Sequence, residues 1–213
     1  MKHAAAVLII MLVFGTLAPA AEPVPDLSTL AAAIPTPKAL SGSLVDEENR
    51  DPAAAGPGRF AAGSWEVPVY GSVTFGYGPG ELYLTHVGVS YYLKDNFAAS
   101  FEGVSGFADG DDSGTAFGFD LLFRWHLLRQ DRWSLYVDGG AGILYTAKSF
   151  RTNATHFNFT PQAGIGTTWH LNEKTRFMVG TRWHHVSNAD IKGPEHNLNH
   201  DAPMVYGGVM ITF

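Results

Sequence analysis

Phe117-Gly-Phe-Asp-Leu-Leu-Phe-Arg-Trp-His-Leu127 decides the fold. Phe117, Phe119, Leu121, Phe123, Trp125 and Leu127 alternate with Gly118, Asp120, Leu122, Arg124 and His126. In an extended strand, residues i and i+2 project from the same face, so one face here is bulky and apolar and the other mostly small or polar. The run 133–146 repeats the pattern, with Trp133, Leu135, Val137, Ala141, Ile143 and Tyr145 set against Ser134, Tyr136, Asp138 and Gly140. So does 155–170, with Phe157, Phe159, Pro161, Ala163, Ile165, Thr167 and Trp169 on one face. Eight runs of this kind stand at about 65–77, 81–93, 97–106, 115–127, 133–146, 155–170, 175–188 and 204–213, separated by turn signals. The chain is all-β.

Such alternation suits either a soluble sandwich with its apolar face inward or a transmembrane barrel with its apolar face toward lipid. Three features favour the barrel. The apolar faces are bulky while the polar faces are rich in glycine, which suits a narrow eight-stranded interior. The links at 94–96, 128–132 and 171–174 are short and those at 107–114, 147–154 and 189–203 are long, as in outer-membrane proteins; Gly78-Pro79-Gly80 is the one short outer link. The last stretch, Val209-Met-Ile211-Thr-Phe213, is apolar at every second position, like the final strand of such barrels. The expectation is an eight-stranded antiparallel transmembrane β-barrel over residues 64–213. An even strand number puts both barrel termini in the periplasm. Trp125, Trp133, Trp169 and Tyr91 then fall near the periplasmic ends, where an aromatic girdle belongs.

The 213 residues bound this to one domain with an appendage. Lys2 and His3 precede an apolar run from Ala4 to Leu17, and Ala18-Pro-Ala20 supplies small residues for cleavage. Residues 1–20 therefore read as a secretory signal peptide. Residues 21–63, rich in Ala and Pro, read as a flexible periplasmic segment. With 14 basic and 20 acidic residues the net charge is −6, which offers no basic field for nucleic acid. Cysteine is absent, so no disulfide is involved.

The chemistry lies in Arg182-Trp-His-His-Val-Ser-Asn-Ala-Asp-Ile-Lys-Gly-Pro-Glu-His196. Phe177, Val179, Thr181, Trp183, His185 and Ser187 share one face of the seventh run; Arg182 and His184 share the other and belong in the lumen. A candidate base and a candidate nucleophile are thus neighbours on the lipid face at the extracellular rim. A serine hydroxyl needs such a base before it attacks, and a polar pair facing lipid has no obvious structural use. The lipid of that leaflet is lipopolysaccharide, whose lipid A anchor carries ester-linked acyl chains. Trp183 and Phe177, on the same face, are the candidate substrate contacts.

His185-Val-Ser187-Asn188-Ala189, followed by Ile191-Lys-Gly-Pro194 and Asn197-Leu-Asn199, resembles the PagL-type lipid A 3-O-deacylases, and the resemblance covers the barrel. It implies that Ser187 is the nucleophile, His185 the general base, and Asn188 part of the oxyanion hole. It also implies hydrolysis of the ester at the 3-position of lipid A, with no cofactor and no metal. One departure stands out. The family commonly has a Glu twelve residues after the nucleophile to orient the His, and here that position is Asn199. An amide can accept the imidazole N–H, so Asn199 is the expected orienter, with Glu195 and Asp201 as alternatives. His196-x3-His200 has ligand-like spacing, but Gly193 and Pro194 make the stretch a loop. The expected partners are lipopolysaccharide and the outer membrane, with a homodimer left open. The rival readings are a non-enzymatic structural or adhesive barrel and a lipid A acyltransferase.

Overall fold

A computed structural model describes residues 60–77, 80–109, 113–148 and 154–213. The signal peptide, most of the 21–63 segment, Gly78-Pro79, Asp111, Asp112 and Asn153 lie outside the described residues. The strands are β1 (Trp65–Tyr77), β2 (Gly80–Lys94), β3 (Phe97–Ala108), β4 (Gly114–Arg129), β5 (Trp133–Thr146), β6 (Phe157–Phe159), β7 (Gln162–His170), β8 (Thr175–Val186) and β9 (His200–Thr212). All neighbours are antiparallel, and the sheet closes through the β1–β9 and β4–β5 pairings.

The expected sixth strand is present as β6 and β7, which keep one register against β5: Ile143 pairs with Phe159 and Gly140 with Gln162. The break falls at Thr160-Pro161, where proline has no N–H to donate. Functionally the two pieces are one strand, and the barrel has eight. Most boundaries fall within two residues of the sequence reading, and the β9 start departs furthest. β3 runs on to Ala108, and β9 begins at His200 instead of 204. His200-Asp-Ala-Pro203 reads as loop because it holds a proline and few strand-formers. Pro203 is tolerated because it lies just past the last β1–β9 pair, Thr74 with Met204, where β9 is an edge on that side.

The face assignments hold. Phe101, Phe117, Phe119, Trp125 and Trp183 project outward about half exposed, and the residues between them are buried inside. Such a belt suits lipid. No helix among the described residues is long and apolar enough to cross a membrane; the strands provide the crossing. The interior is filled. Leu82, Leu84, Val104, Leu144, Val186 and Ala202 form an apolar plug, packed against Leu198 of the last loop. Beneath it, Arg182 makes a bidentate pair with Asp138 through Nε at 3.0 Å and Nη2 at 2.7 Å, and Arg124 reaches the same carboxylate at 3.0 Å. Tyr70, Tyr136 and Tyr206 pack around this triad with Met178, Met204 and Met210. At the end that holds the barrel termini, Arg176 pairs with Glu66. Phe60 is buried there, stacked on His126 at 3.8 Å beneath the Arg176 guanidinium. Buried charge is tolerable only when paired in this way.

Candidate active site

The β-ladder brings the site together. β8 leads out of the membrane, and Val186 is its last regular residue. Pairing continues one step further through an isolated bridge between Phe159 and Ser187, with Phe159 N–H donating to Ser187 O at 2.7 Å and Ser187 N–H to Phe159 O at 3.1 Å. His185 N–H donates to Pro161 O at 2.9 Å. The interrupted strand therefore holds the backbone of both His185 and Ser187. Both side chains lie on the outer face and are half-buried, while Arg182 and His184 point inward and are buried.

On the other side, His185 lies directly across the ladder from Asp201. Directly paired residues have Cβ atoms about 5 Å apart, and here the imidazole Nδ1 meets Asp201 Oδ1 at 2.8 Å. The same oxygen accepts the Trp183 indole N–H at 2.8 Å. The Trp183 ring stacks on His185 at 5.7 Å. Two partners thus fix the imidazole, Asp201 at Nδ1 and Trp183 at the ring face.

The contact falls on Asp201, one of the two alternatives to Asn199. Asn199 does not reach His185. It sits two residues before Asp201, just outside β9, at φ 43, with its N–H turned to Asn197 Oδ1 at 3.3 Å. Of the two alternatives, Glu195 lies on a 3-10 turn at Pro194–His196, exposed and 3.7 Å from His196 Nε2; Asp201 is the one in contact. The reason is the early start of β9. With residues 189–203 read as loop, Asp201 had no fixed place; as a strand residue it is held opposite His185.

Asn188 is tied into the loop that follows the strand. It is buried, with its N–H donating to Asn197 Oδ1 at 2.8 Å and its Nδ2 to His196 O at 2.9 Å and Thr155 Oγ1 at 3.0 Å. Asn197 Nδ2 in turn reaches Asp190 Oδ1 at 2.7 Å. Asn188 and Asn197 cross-brace the loop, and the Asn188 Nδ2 donates within it. The donor aimed at the serine is the Ala189 N–H, 3.0 Å from Ser187 Oγ. Ala189 and Asp190 both adopt positive φ, 54 and 57, which turns the chain sharply after the serine. Ser187 and His185 share the face without a hydrogen bond to one another. Such contacts commonly tighten only when substrate is bound.

Trp183 lines an outward groove of about 470 Å³ with Gly164, Ile165, Thr181, Asp201 and Pro203. Phe177 is not brought to the site. It lies near the opposite end of β8, eight residues or about 26 Å along the strand from His185, and stacks on Trp169 at 5.9 Å. A second cavity, of about 830 Å³, lies at the rim behind the loop and is lined by Thr155, His156, Asn188, Ile191, Lys192 and His196, among others. Sequence reasoning missed the bracing role of Asn197 and Thr155; only the Asn-Leu-Asn spacing hinted at the first.

The family model for lipid A 3-O-deacylase (PagL) matches residues 66–205, which includes every residue of this site. Among solved structures, the outer membrane enzyme PagL is similar at 17% identity and TM-score 0.51, over 70% of this chain and 98% of that one. The N-terminal β-barrel domain of Pseudomonas aeruginosa OprF aligns at 15% identity and TM-score 0.49, over 71% and 98%. The outer membrane protein AlkL aligns at 15% identity and TM-score 0.48, over 77% and 96%. No curated protein matches the chain. The homodimer left open above gains no support from these comparisons. The barrel is an outer-membrane barrel, and the family match spans most of it: the chain belongs to the PagL family of lipid A 3-O-deacylases.

Proposed function

We propose that this protein hydrolyses the 3-O-linked acyl ester of lipid A, with Ser187 as nucleophile, His185 as general base and Asp201 as the group that orients the imidazole. The observation that carries the proposal is the Asp201–His185 contact at 2.8 Å, with Ser187 beside it on the lipid-facing rim of a barrel from this family.

The chemistry follows from the donors in place. Asp201 accepts the Nδ1–H, which leaves Nε2 as the basic nitrogen. Nε2 takes the Ser187 proton as Oγ attacks the ester carbonyl. The developing oxyanion lies next to Oγ, where the Ala189 N–H already points. Collapse expels the sugar hydroxyl, which takes the proton from His185 and leaves an acyl group on Ser187. A water, deprotonated by His185, then releases the fatty acid and restores the serine. Asp201 is a charged carboxylate and stabilises the imidazolium better than the amide of Asn199 would. The groove beside Trp183 opens to the lipid side and suits an acyl chain. The rim cavity, with Lys192, His156 and His196, suits the phosphorylated sugar. An acyltransferase reading needs an internal pocket for the acyl chain, and the apolar plug and tyrosine layers fill the lumen.

The test is release of free hydroxy fatty acid from purified lipopolysaccharide by the refolded protein, followed by mass spectrometry. Wild type releases one acid species from one position, and Ser187→Ala releases none. Undiminished release by folded Ser187→Ala would remove the proposal.

A further inference from the structure

Inside the barrel, away from the rim, three ligand-type side chains from three adjacent strands converge. Glu102 on β3 and Asp120 on β4 are direct ladder partners, so two carboxylates face each other across the sheet. Like charges directly opposite repel, and more so when both are buried, as these are. Elsewhere in the lumen the acids have arginine partners: Asp138 holds Arg124 and Arg182, and Glu66 pairs with Arg176. Among the described residues, neither Glu102 nor Asp120 is in salt-bridge contact with an arginine or lysine. The Arg182 guanidinium turns instead to Asp138, Gln162 and the Tyr70 hydroxyl.

The third side chain is His86 on β2. Its Nε2 is held by Ser72 Oγ at 2.9 Å, and its ring stacks on Tyr70 at 4.3 Å and 6°. These contacts aim Nδ1 between the carboxylates, 3.8 Å from Glu102 Oε2 and 3.7 Å from Asp120 Oδ2. Both distances are too long for hydrogen bonds. His86 is fully buried, and its Nδ1 has no hydrogen-bond partner; nor does Glu102 Oε1. A proton on Nδ1 would lie beyond hydrogen-bond length of either carboxylate. A point between the three atoms lies about 2–2.5 Å from each, which is the bonding distance of a divalent cation.

The surrounding backbone makes room for these carboxylates. Gly142 lies opposite Asp120, and a Cβ there would fall 1.9 Å from Asp120 Oδ1. Gly88 lies opposite Glu102, and a Cβ there would fall 2.6 Å from Glu102 Cγ. Outer contacts hold the ligands: Thr160 Oγ1 donates to Asp120 Oδ1 at 3.3 Å, and the Tyr70 hydroxyl donates to Glu102 Oε2. Such second contacts are what orient metal ligands.

We propose that His86, Glu102 and Asp120 bind one first-row divalent cation inside the barrel, where it locks β2, β3 and β4 together. The histidine nitrogen argues against magnesium and calcium, which take oxygen ligands, and for zinc or a neighbouring transition metal. The sequence reading expected no metal. Residues 86, 102 and 120 are far apart along the chain, and only the ladder register assembles them. The site is separate from the rim and its role is structural.

Tag-free protein, washed with chelator while unfolded and refolded into detergent with Zn2+, is desalted and its metal measured by plasma mass spectrometry. Wild type should retain on the order of one zinc per chain. The double variant Glu102→Gln/Asp120→Asn should retain almost none. Refolding with Co2+ should give a visible d–d spectrum in wild type that is lost in His86→Gln, and EDTA should lower the wild-type unfolding temperature. Where a variant fails to fold, the wild-type stoichiometry and cobalt spectrum still decide. Wild type that folds without retaining Zn2+ or Co2+, or that keeps its unfolding temperature in EDTA, would overturn the site. Metal retained by the folded double variant would overturn it as well, because exposed histidines would then be the ligands.

Discussion

At the scale of single residues, the proposed active site rests on which side chain faces His185 Nδ1. Ladder geometry gives that place to Asp201, so Asp201→Asn should cut turnover by on the order of 10²-fold while leaving the barrel folded. Asn199→Ala should change it little. A large loss in the second variant and none in the first, measured as initial rates of fatty acid release, would return the role to Asn199. Asn197 is the residue whose loss should be felt through the loop. Its side chain accepts the buried Asn188 N–H, and an unsatisfied buried donor costs about 1–3 kcal/mol. Asn197→Ala should therefore loosen residues 188–199. Faster amide exchange in that segment, with exchange in β8 unchanged, is the check.

At the scale of elements, the alternation written in the sequence carries straight through to the barrel. Leu121 lies midway along β4 and faces lipid, half exposed. Leu121→Arg should destabilise the barrel by about 2–4 kcal/mol in a bilayer, read as a lower urea midpoint in vesicles; an unchanged midpoint would put that face inside. On the inner side, the Tyr206 ring lies over Gly180, its direct ladder partner, and a Cβ on Gly180 would fall 2.4 Å from the hydroxyl. Gly180→Ala should cost about 1–3 kcal/mol through overpacking, in the same measurement. Strand faces were legible because a period of two needs only the local sequence. Register was not, because it depends on where each strand starts, and His200-Asp-Ala-Pro203 carries no local strand signal. That single boundary hid the Asp201 contact, although His185, Ser187 and the candidate Asp201 were all named from the sequence. The contacts of Asn188 were hidden for a related reason: Asn197 and Thr155 reach it only through the folded loop.

At the scale of the whole molecule, one closed sheet separates two environments. Its outer face is an apolar belt, and its inner face is a packed stack: an apolar plug, an arginine–carboxylate layer ringed by tyrosines, and a floor of Glu66, Arg176 and Phe60. Among the described residues that stack is packed, and the proposed chemistry is placed on the outside. The rim carries a polar outward-facing cluster of His185, Ser187 and Asp201, where the proposal puts the attack on the lipid ester. The most direct test is mass spectrometry of lipid A from Gram-negative cells that make the wild-type protein or Ser187→Ala, with folding of both checked by heat-modified gel mobility. The account predicts lipid A lighter by one 3-linked hydroxyacyl chain in the first and unaltered lipid A in the second. Unaltered lipid A in cells with folded wild-type protein would contradict it and leave a structural barrel as the better description.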